Sequence, residues 1–179
     1  MFDIRLEKQT DDNRSEHLLG KVTLGEYEES FVASTTQQNA SAYLHQWISA
    51  LDTAIDDRVF SALFSNIELD EIGVGRLNFY GLSPAENEQV NPDDGIYVTE
   101  GFCAVTTNPQ AFTMDCVFEP DSLASHSGLY FLDPSDPSRI YPCLDTPVMS
   151  VSFWHYSNSD FRACRDRVAA RLHDMLNKP

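Results

Sequence analysis

Basic residues are scarce in this sequence. Only 12 Lys and Arg stand against 28 Asp and Glu in 179 residues, a formal net charge of -16. Such an excess repels phosphate backbones and anionic headgroups, so general nucleic-acid binding and attachment to an anionic membrane surface are excluded as expectations. Long apolar runs are also missing. No stretch reaches the roughly 18 residues that signal a membrane span. The first residues, Met1 to Lys8, carry neither an apolar core nor a cleavage site of the secretory kind. These absences predict a protein that works in the cytoplasm, away from membranes.

The motifs of chemistry are equally sparse. The four cysteines, Cys103, Cys116, Cys143 and Cys164, form no C-x-x-C pair, which predicts reduced, buried thiols. The five histidines, His17, His45, His126, His155 and His173, include no i, i+4 pair and no H-E-x-x-H, so a zinc hydrolase has no support. There is no G-x-S-x-G elbow. Gly73-Val74-Gly75 lacks the third glycine and the Lys-Ser/Thr of a phosphate-binding loop and reads as a turn. The acidic turns Asp93-Asp94-Gly95 and Asp133-Pro134-Ser135-Asp136 lack the ligand spacing of an EF-hand. No catalytic residue, metal or cofactor is therefore expected. A small hydrolase would need His126 or His155 within hydrogen-bond reach of Cys103 or an acid.

What is present suits a folded core. Hydrophobic residues make up 42% and aromatics 11%, with no low-complexity linker, which predicts one domain over 1–179. The charge is unevenly placed. Residues 1–21 hold five acids and four bases, and residues 139–179 hold four and six. Residues 22–138 hold nineteen acids and only Arg58 and Arg76. A field of that kind favours a basic partner and orients its approach.

Residues 17–33 read as strands broken at Gly20 and Gly25. A helix follows, capped by Asn39 or Ser41, with Tyr43, Trp47, Leu51 and Ile55 recurring every four residues and Asp56-Asp57 ending the stripe. His45 falls off that stripe and is expected at the surface. Strands are expected over 58–69, 76–80, 96–107, 128–132, 140–144 and 148–154, with a turn at 133–137 and a polar loop over 81–95. Ser157 and Asp160 have capping-box spacing before a last helix of about 159–177. That helix is expected to bury Phe161, Cys164, Val168, Leu172 and Met175 or Leu176, and to carry Arg162, Arg165, Arg167 and Arg171 on a solvated face. Helices separated by a block of strands predict an α+β fold: a twisted, mainly antiparallel sheet, a helix inserted after the first strands, and a C-terminal helix packed on the sheet.

The acids suggest where a partner would sit. Glu68, Asp70 and Glu71 precede the Gly73 turn, and Asp93, Asp94 and Glu100 flank the next strand. A second grouping is Glu26, Glu28 and Glu29 with Asp52, Asp56 and Asp57. Exposed aromatics such as Tyr80 or Tyr97 are expected to supply anchors inside that acidic rim.

Several segments carry a resemblance. Val22-Thr23-Leu24-Gly25-Glu26-Tyr27-Glu28-Glu29-Ser30-Phe31 resembles the I-x-I-G-x-aromatic-x-E-x-F strand of bacterial immunity proteins. The stretch from Ala42 to Leu51 resembles their Y-x-x-Q/S-W-x-x-A/S-L helix, and Ser61-Ala62-Leu63 the strand after it. Gly95-Ile96-Tyr97-Val98-Thr99-Glu100 and Val151-Ser152-Phe153-Trp154-His155 resemble later strands of the same family. The sequence departs from the pattern at Ser34 to Gln38, which lacks an aromatic, and at Phe153, where a Glu is usual. The family is that of immunity proteins in contact-dependent growth inhibition. The resemblance implies a cytoplasmic protein without catalysis that binds the C-terminal domain of one cognate toxin, here a basic nuclease, and blocks it. The alternative is an acidic adaptor with several partners.

Overall fold

The first element, β1 (Phe2–Leu6), was not among the expected strands, although Phe2, Ile4 and Leu6 alternate with Asp3 and Arg5 at the period of two that a half-buried strand requires. It pairs antiparallel with β2 (His17–Leu24), which pairs antiparallel with β3 (Tyr27–Ser34). The computed structural model describes residues 1–7, 17–35, 39–59, 61–69, 74–84, 95–106, 129–133, 136–142 and 153–177. A two-residue loop joins β2 to β3. Gly25 takes its first position at φ 72°, where a side chain would be strained. Gly20 does not break a strand as expected. It lies inside β2 opposite Phe31, and a Cβ there would collide with the Phe31 ring.

Helix α1 (Ala40–Asp52) starts at Asn39, whose Oδ1 accepts from the Ala42 amide at 2.9 Å. It ends in a π-helical turn, Thr53–Asp57, closed by Arg58 in the left-handed region at φ 56°. A second sheet follows: β4 (Ser61–Leu69), β5 (Val74–Pro84), β6 (Ile96–Thr106), β7 (Leu129–Asp133) and β8 (Asp136–Pro142), hydrogen-bonded in that order. All these pairings are antiparallel except β6 with β7. The short strand β9 (Phe153–Tyr156) pairs with the first part of β6, and β7 with its later part. Strand β5 runs on through 81–84, where a loop was expected, and β8 resumes at Asp136, inside the expected turn. The last element is α2 (Asn158–Leu176), capped by Ser157 as predicted. The α+β arrangement is the expected one, with the strands divided between two sheets.

The two helices each close the edge of one sheet. An unpaired edge strand presents bare amides and carbonyls, which need partners. On β4 those partners are side chains of α1. Gln46 donates to the Ala62 carbonyl at 2.6 Å and accepts from the Phe64 amide at 3.1 Å. Trp47 Nε1 donates to the Phe64 carbonyl at 2.7 Å. The Tyr43 hydroxyl accepts from the Ile67 amide at 3.1 Å and donates to the Ser34 carbonyl at 3.0 Å, which ties β3 to β4. A register shift in β4 between Phe64 and Asn66 turns Asn66 towards the first sheet, where its Oδ1 accepts from the Ser34 amide at 2.8 Å.

One continuous core joins these parts. It holds Tyr43, Leu44, Trp47 and Leu51 of α1, Phe161, Cys164, Val168 and Leu172 of α2, Phe2, Ile4, Val22 and Leu24 of the first sheet, and Leu63, Ile67, Leu82, Ile96 and Val98 of the second. The helical stripes foreseen from periodicity are therefore the buried faces, except at the end of α2, where Met175 and Leu176 are exposed because the helix runs on past the core. No helix among the described residues is long and apolar enough to cross a membrane.

Candidate interaction surface

The arginines of α2 are the first test of the charge pattern, and the expected solvated face is corrected. Arg167 Nε donates to Asp3 Oδ1 at 3.0 Å, and Arg171 Nη2 to Asp3 Oδ2 at 2.9 Å. The same two guanidiniums donate to the Phe2 carbonyl at 2.6 Å and the Ile4 carbonyl at 2.8 Å. Those carbonyls lie on the outer edge of β1, so α2 closes this edge with arginines as α1 closes β4. Arg165 pairs with Asp52 at 3.0 Å and Arg162 with Asp56 at 2.9 Å, joining α2 to the end of α1. The four arginines of α2 are thus paired with acids of the same chain.

Asp3 is only 4% exposed. Burial pushes its carboxyl up, but the hydrogen bonds of Arg171 and then Arg167, with their charges, outweigh burial and hold it below the usual carboxylate range. Cys164 sits beside it, with Sγ 4.0 Å from Asp3 Oδ1. Burial first, and the Asp3 charge second, push that thiol up to about 12. It is buried and free, as expected. Burial also takes the Tyr43 hydroxyl up to about 12. Asp3 and Tyr43 are joints of the fold, each bonded across two elements.

The acids expected at an interface fall in two sets. Glu68 in β4 stands opposite Arg76 of β5, and Glu100 in β6 stands opposite Tyr80 of β5. The two acids are therefore on strands flanking β5, separated along the sheet. Asp70, Glu71, Asp93 and Asp94 lie outside the described residues. In the second grouping most charges are matched. Glu28 pairs with Arg5 and Lys21, each at 3.3 Å, and hydrogen bonds from these two cations lower its carboxyl. Asp52 and Asp56 hold the α2 arginines, and Glu29 accepts from the Tyr80 hydroxyl at 3.1 Å. Glu26 lies in the turn and not in a strand. Glu26 and Asp57 have no ion-pair partner among the described residues.

The aromatic expectations divide. Tyr80 is 2% exposed and belongs to the core, because β5 is flanked by a strand on each side and its inward positions are covered. Tyr97 is 39% exposed, with its ring 4.7 Å from that of His155, its register partner on β9. An aromatic pair not foreseen lies at the same end of the sheet. Tyr27, 51% exposed at the start of β3, stacks on Trp154 of β9 at 6.1 Å between centroids and 17° between planes. Tyr27 could have been found in the sequence as the large aromatic two residues after a turn glycine, but Trp154 could not have been assigned to it without the fold.

The imagined Cys103–His155 pair is ruled out by register. Tyr97 faces His155, and Cys103 lies six residues farther along β6, about 20 Å at strand rise. His45 is exposed, as expected. His126, Cys116 and Cys143 lie outside the described residues. Among the described residues no group of three or more His, Cys, Asp and Glu is placed to hold a metal ion.

No protein-family model matches the sequence, and no curated protein sequence does. Among solved structures the fold is similar to a chain of the CdiA-CT/CdiI toxin and immunity complex from Enterobacter cloacae, with a TM-score of 0.59 at 15% identity. The likeness covers 95% of this chain and 99% of that one, so the shared fold takes in both sheets and both helices.

Proposed function

We propose that this chain is an immunity protein, a single binding unit that neutralises the C-terminal domain of a cognate toxin by stoichiometric association in the cytoplasm, without turnover. The observation that carries the proposal is the fold likeness to one chain of a toxin and immunity complex, over nearly the whole of that chain and of this one. The sequence motifs of the family support it independently, since 15% identity leaves little room for one to follow from the other.

The charge supports the choice of a basic toxin, of which a nuclease is the natural case. A nuclease must attract phosphate, and a strongly acidic inhibitor meets the same field with opposite sign. In this reading Glu68, Asp70, Glu71, Asp93, Asp94 and Glu100 steer the encounter. Rim charges of that sort act mainly on the association rate and its salt dependence.

The test is growth rescue. The chain is co-expressed with the toxic C-terminal domain encoded by the gene directly upstream, and survivors are counted. Rescue is expected. It should be lost with Trp47→Ala, which empties a fully buried site and removes the bond to the Phe64 carbonyl, at a cost of about 3–5 kcal/mol. A soluble, folded chain that gives no rescue from a toxic neighbour would overturn the proposal.

A further inference from the structure

We infer that the Tyr27–Trp154 stack, with Glu26 beside it, is the anchor on which a cationic side chain of the basic partner, an arginine by preference, is seated. The inference rests on the proposed function and adds the point of attachment.

Three observations favour this place over the rest of the described surface. The first is the geometry of the stack. Trp154 is half-buried against the core, and Tyr27 lies almost parallel to it with half its area in solvent. One ring face of Tyr27 is covered by Trp154, and the exposure of the residue leaves an aromatic surface of fixed orientation. A guanidinium stacks well on such a face, because the ring quadrupole is negative there and the planes match. Tyrosine and tryptophan also contribute large contact area at low entropic cost.

The second is preorganisation. Tyr27 follows the two-residue loop whose Gly25 holds φ 72°, and it is paired in register with Leu24. Trp154 is paired in register with Val98. Both rings are carried on hydrogen-bonded strands, so little ordering remains to be done on binding.

The third is charge. Glu26 in the loop has no ion-pair partner among the described residues. The competing exposed apolar pair, Leu19 and Val32, is less suited to a basic partner. These two face each other on the outer side of the first sheet, the side where Arg5 and Lys21 already satisfy Glu7 and Glu28. The arginines of α2 are held by the molecule's own acids.

The experiment is a kinetic binding measurement between this chain and the purified C-terminal domain encoded directly upstream, immobilised on a sensor surface. Tyr27→Leu keeps an apolar cover over Trp154 and removes the aromatic face. Glu26→Gln removes the charge alone, and Leu19→Ser with Val32→Ser probes the competing face. Thermal unfolding of each variant checks that it is folded. Tyr27→Leu should dissociate about tenfold faster with little change in association rate, a typical loss for a cation seated on a ring. Glu26→Gln should weaken binding a few-fold, and the Leu19 and Val32 changes should leave it unaltered. Unchanged dissociation in folded Tyr27→Leu, or a larger effect from the Leu19 and Val32 pair, overturns the anchor while the proposed function stands. Absence of binding by the wild-type chain overturns both.

Discussion

Replacing Asp3 by Asn should weaken the fold far more than any other single loss of a carboxylate among the described residues. Asp3 links the first strand to the last helix, and it is the shared acceptor for Arg167 and Arg171. Asn keeps the shape and one acceptor oxygen, but it leaves two guanidiniums at a buried position without a counter-charge. Removing one partner of a fully buried ion pair costs about 3–5 kcal/mol. Here both arginines are about one-third exposed and keep their bonds to the Phe2 and Ile4 carbonyls, so the low end applies. The expected loss is about 3 kcal/mol, equivalent to about 6–12 °C in Tm for a chain of this size. Asp56→Asn is the matched control. Its pair with Arg162 is half exposed on both sides, and such pairs contribute about 0–1 kcal/mol.

The pH dependence follows from the same site. Asp3 is held below its ordinary value in the folded state, so its contribution is present in full above the unfolded carboxylate range. It is lost as pH falls through the lower, folded value. The gap in stability between wild type and Asp3→Asn should therefore be constant from neutral pH down to about 5 and close at pH below about 4. Urea unfolding at a series of pH values reads both quantities. An Asp3→Asn effect no larger than that of Asp56→Asn at pH 7, or a gap that widens in acid, would refute the assignment. It would mean that desolvation of Asp3 and its three cations, Arg167, Arg171 and the more distant Arg5 at 3.6 Å, cancels their attraction.

Three further outcomes are expected. Gln46→Leu strands the Ala62 carbonyl and the Phe64 amide at the edge of β4 and should cost about 2 kcal/mol in urea unfolding, whereas Gln46→Glu should spare the acceptor role and lose the donor role only. Gly20→Ala drives a methyl into the Phe31 ring and should destabilise by about 1–3 kcal/mol, with Gly20→Ala/Phe31→Leu recovering part of it; an unchanged Tm would show that the ring moves away freely. Cys164, with its thiol at about 12, should resist iodoacetamide at pH 8 in the folded protein and react fully in denaturant, as followed by peptide mass spectrometry.

What the sequence made legible was the local and the periodic. The four-residue recurrence of Tyr43, Trp47, Leu51 and Ile55 identified the buried face of α1, and Asn39 and Ser157 marked both helix starts, because caps and stripes are encoded within one or two turns. Strand β1 was equally encoded in the alternation of Phe2, Ile4 and Leu6, but a five-residue strand gives too few periods to stand out beside its charged neighbours. Gly20 was misread because a glycine that breaks a strand and one that admits a ring across it look alike until the partner strand is known. Tyr80 was misread for the corresponding reason: exposure depends on which strands flank β5. The roles of Arg167 and Arg171 were out of reach. Their acceptor lies more than 160 residues away in the chain, and no spacing rule connects them.

That long-range closure changes how the net charge should be understood. Arg5, Lys21, Arg162, Arg165, Arg167 and Arg171 are all committed to acids of the same chain: Asp3, Glu7, Glu28, Asp52, Asp56 and Asp166. Six of the twelve cations are thereby tied to six of the twenty-eight acids, and the surplus that makes the chain acidic falls on residues outside these pairs. The committed pairs include the buried Asp3 network, which ions in solution screen little, whereas the surplus is screened within a Debye length of about 8 Å at physiological salt. Salt should then act on the two roles separately. Between about 0.05 and 0.5 M NaCl the rate of association with a basic partner should fall steeply, while the stability difference between wild type and Asp3→Asn stays nearly constant. If both quantities moved together, the charges that hold the fold and the charges that attract the partner would be the same set, and the division drawn between an internally satisfied helix and an outward acidic field would not hold.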